Sequence, residues 1–240
     1  MRNIGFSSGA IAYGDFMSAL ETLRATPFPC IEMSALRVAE LPALVEALPA
    51  LDLSAYSFIS FHASSNYAAD KEKWISDLLY TAIPKTWPIV IHPDTIHDFG
   101  LWTRFGSRLA VENMDRRKPV GRTACELSEV FVHLPEASLC FDVGHARQCD
   151  ASMTEAFLIL SRFAKKLVQV HISEVNSASQ HDAISRGAVL AFQQIAGMIP
   201  EAVPVIIESR VAGANIAAEA FRAAQALSPL SAWKKIIVGD

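Results

Sequence analysis

Seven short apolar runs in this chain each end in a side chain that binds metals or carries protons. They are Phe28-Pro-Cys-Ile-Glu32, Phe58-Ile-Ser-Phe-His62, Ile89-Val-Ile-His92, Leu109-Ala-Val-Glu112, Leu139-Cys-Phe-Asp142, Leu167-Val-Gln-Val-His171 and Val205-Ile-Ile-Glu208. A continuous apolar run is the pattern of a strand buried on both faces, as in a parallel sheet. In a closed barrel of such strands the C-terminal ends converge on one face, and that face carries the chemistry. The same kind of polar ending on run after run therefore predicts one shared site, with a metal ion as the most economical occupant.

Helical patterns separate the runs from end to end. An eighth strand is expected near Asn3–Ser7, and Phe16-Met-Ser-Ala-Leu20 with Leu23 follows it at helical spacing behind Asp15. Helices are expected over Leu41–Leu48, Lys71–Ile83, Ser185–Ile199 and Asn215–Leu227, with a short one around Asp94–Phe105. Thr123-x-x-Glu126 and Ser152-x-x-Glu155 both match the capping box. Eight strands alternating with helices predict an α/β fold, a (β/α)8 TIM barrel forming a single domain over residues 1–240. Gly5, Gly9 and Gly14 do not make the G-x-G-x-x-G turn of a dinucleotide-binding sheet, which disfavours that alternative.

Length and charge narrow the partners. The 240 residues suit one barrel, no apolar run is long enough to span a bilayer, and the first residues lack the apolar stretch of a secretory signal. Cys30, Cys125, Cys140 and Cys149 show no C-x-x-C spacing and read as reduced thiols, so a cytoplasmic protein is expected. A net charge of −4 argues against a broad nucleic-acid face. A small-molecule substrate is the expected partner, and a homo-oligomer stays open, with Trp74 and Trp102 on predicted outer elements.

Two further histidines sit just beyond strand ends, His145 in Phe141-Asp-Val-Gly-His145 and His181 in Ser179-Gln-His-Asp182, so five of the seven histidines map to one predicted face. His97 and His133 read as helix residues without a special role. One histidine or glutamate closing a strand is ordinary. Several carboxylates and five imidazoles on one face repel or lose hydration unless a cation holds them.

The order Glu112, Asp142-x-x-His145, His171, Glu208 on the fifth to eighth strands resembles the xylose isomerase-like TIM-barrel superfamily, from His62 on the third strand onward. That group holds sugar isomerases and epimerases together with apurinic/apyrimidinic endonucleases. In the isomerase and epimerase branch, the resemblance implies one divalent cation on Glu112, Asp142, His171 and Glu208, with Mn²⁺, Mg²⁺, Co²⁺ or Zn²⁺ suited to the donors. Glu112 and Glu208 would also move the proton, and His145 would bind a substrate hydroxyl. In the endonuclease branch, His62, His92 and Glu112 match a second metal position. His145 and His181 match a third, where Ser179 replaces an expected aspartate.

Two enzyme readings follow. The first is a metal-dependent isomerase or epimerase on a small sugar-like substrate that carries a phosphate or not. The alternative is a multinuclear zinc hydrolase of a phosphoester. An iron-dependent oxygenase and a ligand-binding module without turnover rank below them. Glu32 is a candidate substrate contact, as are Arg116, Arg117, Arg147 and Arg210, which can grip a phosphate or carboxylate. Lys118 and Arg122 share the first arginine cluster, and Asn113 and Glu174 are weaker candidates.

Overall fold

Alternation along each strand divides the inside of the barrel from the outside. Ile31, Met33, Phe61, Ile89, Ile91, Val111, Leu139, Phe141, Val170 and Ile172 join one apolar cluster with the surrounding helices. Val90, Ala110 and Cys140 form a separate small cluster inside. The computed structural model describes residues 2–229, so the ends of the expected 1–240 domain lie outside the described residues.

The strands are β1 (Ile4–Ser7), β2 (Cys30–Ser34), β3 (Phe58–His62), β4 (Ile89–Ile91), β5 (Leu109–Glu112), β6 (Ser138–Asp142), β7 (Leu167–Ile172), β8 (Glu174–Val175), β9 (His181–Asp182) and β10 (Val205–Ile207). Eight of them close into a barrel in the order β1-β10-β7-β6-β5-β4-β3-β2, and every pairing in it is parallel. The expected (β/α)8 barrel is therefore present. β8 and β9 form a small antiparallel hairpin after β7 that the sequence reading did not foresee.

The helices are α1 (Ser8–Ala12), α2 (Phe16–Arg24), α3 (Leu41–Ala47), α4 (Ala69–Ala82), α5 (Ala124–His133), α6 (Val143–Cys149), α7 (Thr154–Phe163), α8 (Arg186–Phe192) and α9 (Ile216–Ala226). Residues three and four apart share a helix face, so Ile75 and Leu79 of α4 turn inward and are fully buried. Trp74, one position away, stays 43% exposed.

Four expectations need correction. The crossover after β4 is three 3₁₀ turns, Pro93–Thr95, Phe99–Leu101 and Thr103–Arg108, because Pro93 opens it and Gly106 breaks it at φ 55°. His97 lies in this irregular stretch, not in a helix. Trp102 is wholly buried and donates to Glu72 (2.9 Å), so it belongs to the core and not to an outer surface. At α7 the capping role passes from Ser152 to Asp150, whose carboxylate accepts from the Glu155 amide at 2.9 Å. Glu155 is then free to cap α5 through the Ala124 amide. The box at Thr123 forms its forward half, with Thr123 Oγ1 accepting from the Glu126 amide at 3.1 Å.

Among the described residues no helix is long and apolar enough to cross a membrane. All four cysteines are free, Cys30 and Cys140 buried.

Candidate metal centre

The parallel register sets the strand ends side by side. Asp142 pairs with His171 across β6 and β7, and Ile206, two residues before Glu208, pairs with His171 across β10. Glu112, Asp142, His171 and Glu208 consequently bring one ligand atom each to within 4.8 Å of the others. Nδ1 of His171 lies 3.1 Å from Glu112 Oε1 and 3.4 Å from Glu208 Oε1.

Glu112 also faces the other way. Its Oε2 is 3.3 Å from His62 Nε2 and 3.2 Å from His92 Nε2, and these three residues form a second ligand group. His62 donates through Nδ1 to its neighbour's carbonyl at Ala63 (2.7 Å), which leaves Nε2 turned toward Glu112. A third group joins Asp142, His145 and His181.

Asp142 has two tasks. Its Oδ1 accepts from the His145 amide at 2.6 Å and caps α6, the helix that carries His145. Its Oδ2 is buried without a hydrogen-bond partner. Gly144 lets this helix start where it does, because a Cβ there would meet the Ser173 carbonyl at 2.5 Å. The side chain of Asn113 bonds both the carbonyl and the amide of Asp142 (2.8 Å each), tying the ends of β5 and β6 together.

The electrostatics suit a divalent cation. Burial, with Glu112 close by, raises Asp142 above the ordinary carboxylate range. Glu208 is pushed up to about 8 by burial and by the charges of Glu112, Asp142 and Glu32. Burial would raise Glu112 too, but the imidazoles of His171, His62 and His92 hold it well below its usual value. His62 rises to about 9 because Glu112 and Glu32 outweigh the burial that opposes its charge. His181 is pushed down to about 3 by burial and by His145. An Asp142 oxygen buried without a hydrogen bond, with three carboxylates and an imidazole around one point, makes a donor set that fits a divalent cation.

The centre opens into a cavity of about 540 Å³, lined among others by His62, His92, Glu112, Asp115, His145, His181 and Glu208. Arg117 and Arg210, both expected near substrate, line it as well, with Arg37 and Lys118. Arg210 lies over the Tyr13 ring at 5.1 Å. The structure does not bring the other expected contacts there. Arg147 pairs with Glu174 (2.9 Å), which in turn accepts from the Ser185 amide and fastens the start of α8. Arg116 is exposed beside the cavity and its backbone amide bonds Gln148. Arg122 pairs with Glu126. Glu32 is fully buried below His171.

Sequence reasoning passed over Asp115, which accepts from Ser179 Oγ at 2.6 Å, and the pair Ser60 and Gln169 beneath the centre. A signal for the pair was present. Each stands two residues before a strand-end histidine, hence on the same face of its strand.

Solved structures share this architecture. A structure of IolI with a bound zinc atom superposes with a TM-score of 0.59 at 14% identity, over 95% of this chain and 98% of that one. A xylose isomerase domain protein from Alicyclobacillus acidocaldarius gives 0.60 at 12% identity, over 93% and 98%. The fold is that of the xylose isomerase-like TIM barrels. Endonuclease IV from Thermus thermophilus has the same fold, at a TM-score of 0.56 and 16% identity over 93% of this chain and 97% of that one. No protein-family model and no curated protein matches the sequence.

Proposed function

We propose that this chain is a divalent-metal-dependent isomerase or epimerase that moves a proton on a small sugar-like substrate. The observation that carries this reading is the placement of Glu112 and Glu208. Both reach Nδ1 of the same histidine, both belong to one ligand group with Asp142, and both line the cavity. Similarity in fold to IolI, solved with a bound zinc atom, supports a metal-binding role.

A divalent cation held by Glu112, Asp142, His171 and Glu208 would supply Lewis acidity to a substrate carbonyl and so acidify the neighbouring C–H. Glu208, 14% exposed at the cavity wall, is placed to take that proton on one of its carboxylate oxygens. In an isomerisation Glu208 gives that proton back at the neighbouring carbon, whereas in an epimerisation the first proton stays on Glu208 and a different one is delivered from another side by the Glu112 carboxyl in its acid form. His145, anchored through Nδ1 by the Asn113 carbonyl at 2.9 Å, presents its other nitrogen to a hydroxyl. Arg210 at the cavity wall, with no ion pair among the described residues, favours a substrate that bears a phosphate or carboxylate, whereas Arg117 and Lys118 already pair with Asp115 (3.2 Å) and Asp94 (2.7 Å). A cavity of about 540 Å³ suits a molecule of sugar-phosphate size.

The test is solvent exchange. Metal-loaded protein is incubated in deuterated water with a panel of ketoses and ketose phosphates. Deuterium should enter at the carbon beside the carbonyl of one substrate, and the exchange should vanish in Glu208→Gln. A fully loaded protein that exchanges none of them contradicts the reading.

One observation favours a second reading. The His62, His92, Glu112 group shares Glu112 with the first, as a two-metal hydrolase of phosphoesters requires. Two metal equivalents per chain and release of phosphate from a phosphodiester would establish it.

A further inference from the structure

One level below the ligand atoms, the barrel interior carries a second polar layer. Glu32 of β2, Ser60 of β3 and Gln169 of β7 have no exposed surface. Their neighbours on the inner wall are Val90, Ala110 and Cys140. A carboxylate in such surroundings is stable only when its charge is met by donors. Three such groups surround Glu32 Oε2, with Ser60 Oγ at 3.2 Å, Gln169 Nε2 at 2.7 Å and His171 Nε2 at 3.0 Å, while Gln169 Nε2 also lies 2.7 Å from His171 Nε2 and Glu32 Oε1 is buried without a hydrogen bond.

The contact with His171 is made through Nε2, while Nδ1 points up at Glu112 and Glu208. The two ring nitrogens therefore have separate tasks. We propose that Glu32 is a positioning residue, whose carboxylate accepts the Nε2 proton of His171, fixes the ring, and keeps the Nδ1 lone pair turned toward the divalent cation held by Glu112, Asp142, His171 and Glu208. Gln169 and Ser60 hold the carboxylate in place. Glu32 does not touch substrate, since it lies beneath His171 and does not line the cavity. The inference rests on the metal reading of the site and adds what orients one of its ligands. A hydrogen-bonded carboxylate behind a metal-bound imidazole raises the basicity of the ligand, and its loss weakens metal affinity about 10- to 100-fold.

Cobalt reports on both readings at once. Metal-free wild type, Glu32→Gln and Gln169→Ala are titrated with Co²⁺ while the visible absorption of the ion is followed. The wild type should bind, and Glu32→Gln should bind the same number of ions about 10- to 100-fold more weakly. Its bands should be shifted at unchanged intensity class, as for a rotated ligand in an intact coordination shell. Gln169→Ala should shift them in the same direction by less. Identical affinity and bands in Glu32→Gln overturn the positioning role. Loss of a whole equivalent overturns it as well, and makes Glu32 a ligand in the group it forms with His62, His171 and Glu208. No uptake by the wild type removes the metal site itself, and this proposal with it.

A measurement on the unaltered protein guards against a variant that fails to fold. In zinc-loaded wild type, nitrogen-15 spectra of the His171 ring should show a protonated Nε2 and a metal-bound Nδ1. The opposite assignment overturns the proposal.

Discussion

Glu112 and His171 meet at 3.1 Å inside the barrel, Oε1 against Nδ1, with both side chains cut off from solvent. The other oxygen of Glu112 meets His62 and His92. One carboxylate thus links two ligand groups, and the strand ends on either side of it act as a unit.

Asp142 tests the first group. Asp142→Asn keeps an oxygen to cap α6 and removes a charged ligand. In the presence of chelator its melting temperature should equal or exceed that of the wild type, because a fully buried carboxyl, whose Oδ2 has no hydrogen bond, gives way to a neutral amide. Added Zn²⁺ or Mn²⁺ should raise the wild-type melting temperature and leave the variant nearly unmoved. Differential scanning fluorimetry with and without metal reads both effects.

Glu208 sets a pH dependence. Its carboxyl is raised to about 8, so the folded metal-free protein holds this proton more tightly than the unfolded chain does. The stabilisation is complete below the ordinary carboxylate range and is lost as pH rises through about 8. The histidine beside it acts in the same sense, since His62 is raised to about 9. Metal-free wild type should therefore lose more stability than Glu208→Gln between mildly acidic and mildly alkaline pH, as read by urea unfolding. Metal binding at acidic pH should release a proton, which calorimetry in buffers of different ionisation heat will count.

Arg210 reports on the substrate. It lies on Tyr13 at the cavity wall and forms no ion pair among the described residues. Arg210→Ala should raise KM for an anionic substrate by about 10- to 100-fold, the range of a lost charge-assisted hydrogen bond. kcat and metal content should change little. Equal loss against neutral and anionic substrates would argue against an anion contact.

Glu72 carries structural weight far from the centre. Its buried carboxylate accepts from the backbone amides of His97 and Asp98 and from Trp102 Nε1, at 2.8, 2.9 and 2.9 Å. It organises the 3₁₀ crossover that no helix supports. Glu72→Ala strands three donors and should cost roughly 3 kcal/mol or more. Chemical denaturation measures that loss, and metal stoichiometry should survive it.

The barrel was legible because parallel strands buried on both faces read as continuous apolar runs, and each of the seven runs singled out overlaps a barrel strand. The gathering of Glu112, Asp142, His171 and Glu208 followed from their shared position at strand ends. What escaped was whatever depends on local competition or on depth. Asp150 outcompetes Ser152 for the Glu155 amide, a choice made by loop geometry that residue spacing does not record. Glu32 ends its apolar run as His62 does, yet β2 runs on to Ser34, so the glutamate sits one level lower than the ligands. Arg147 is near enough in sequence to reach the rim, but α6 turns it to Glu174.

Whether this ring of strand ends holds a divalent cation is read from metal content. Protein is purified without chelators or a metal-binding tag and analysed for metals beside Asp142→Asn and the double variant His62→Ala, His92→Ala. The wild type should carry at least one divalent ion per chain, and Asp142→Asn should lose one. In the double variant that ion should remain, and any second equivalent present in the wild type should be gone. Wild-type protein that carries no metal and takes up none on titration with Zn²⁺, Mn²⁺ or Co²⁺ would contradict a divalent-cation site.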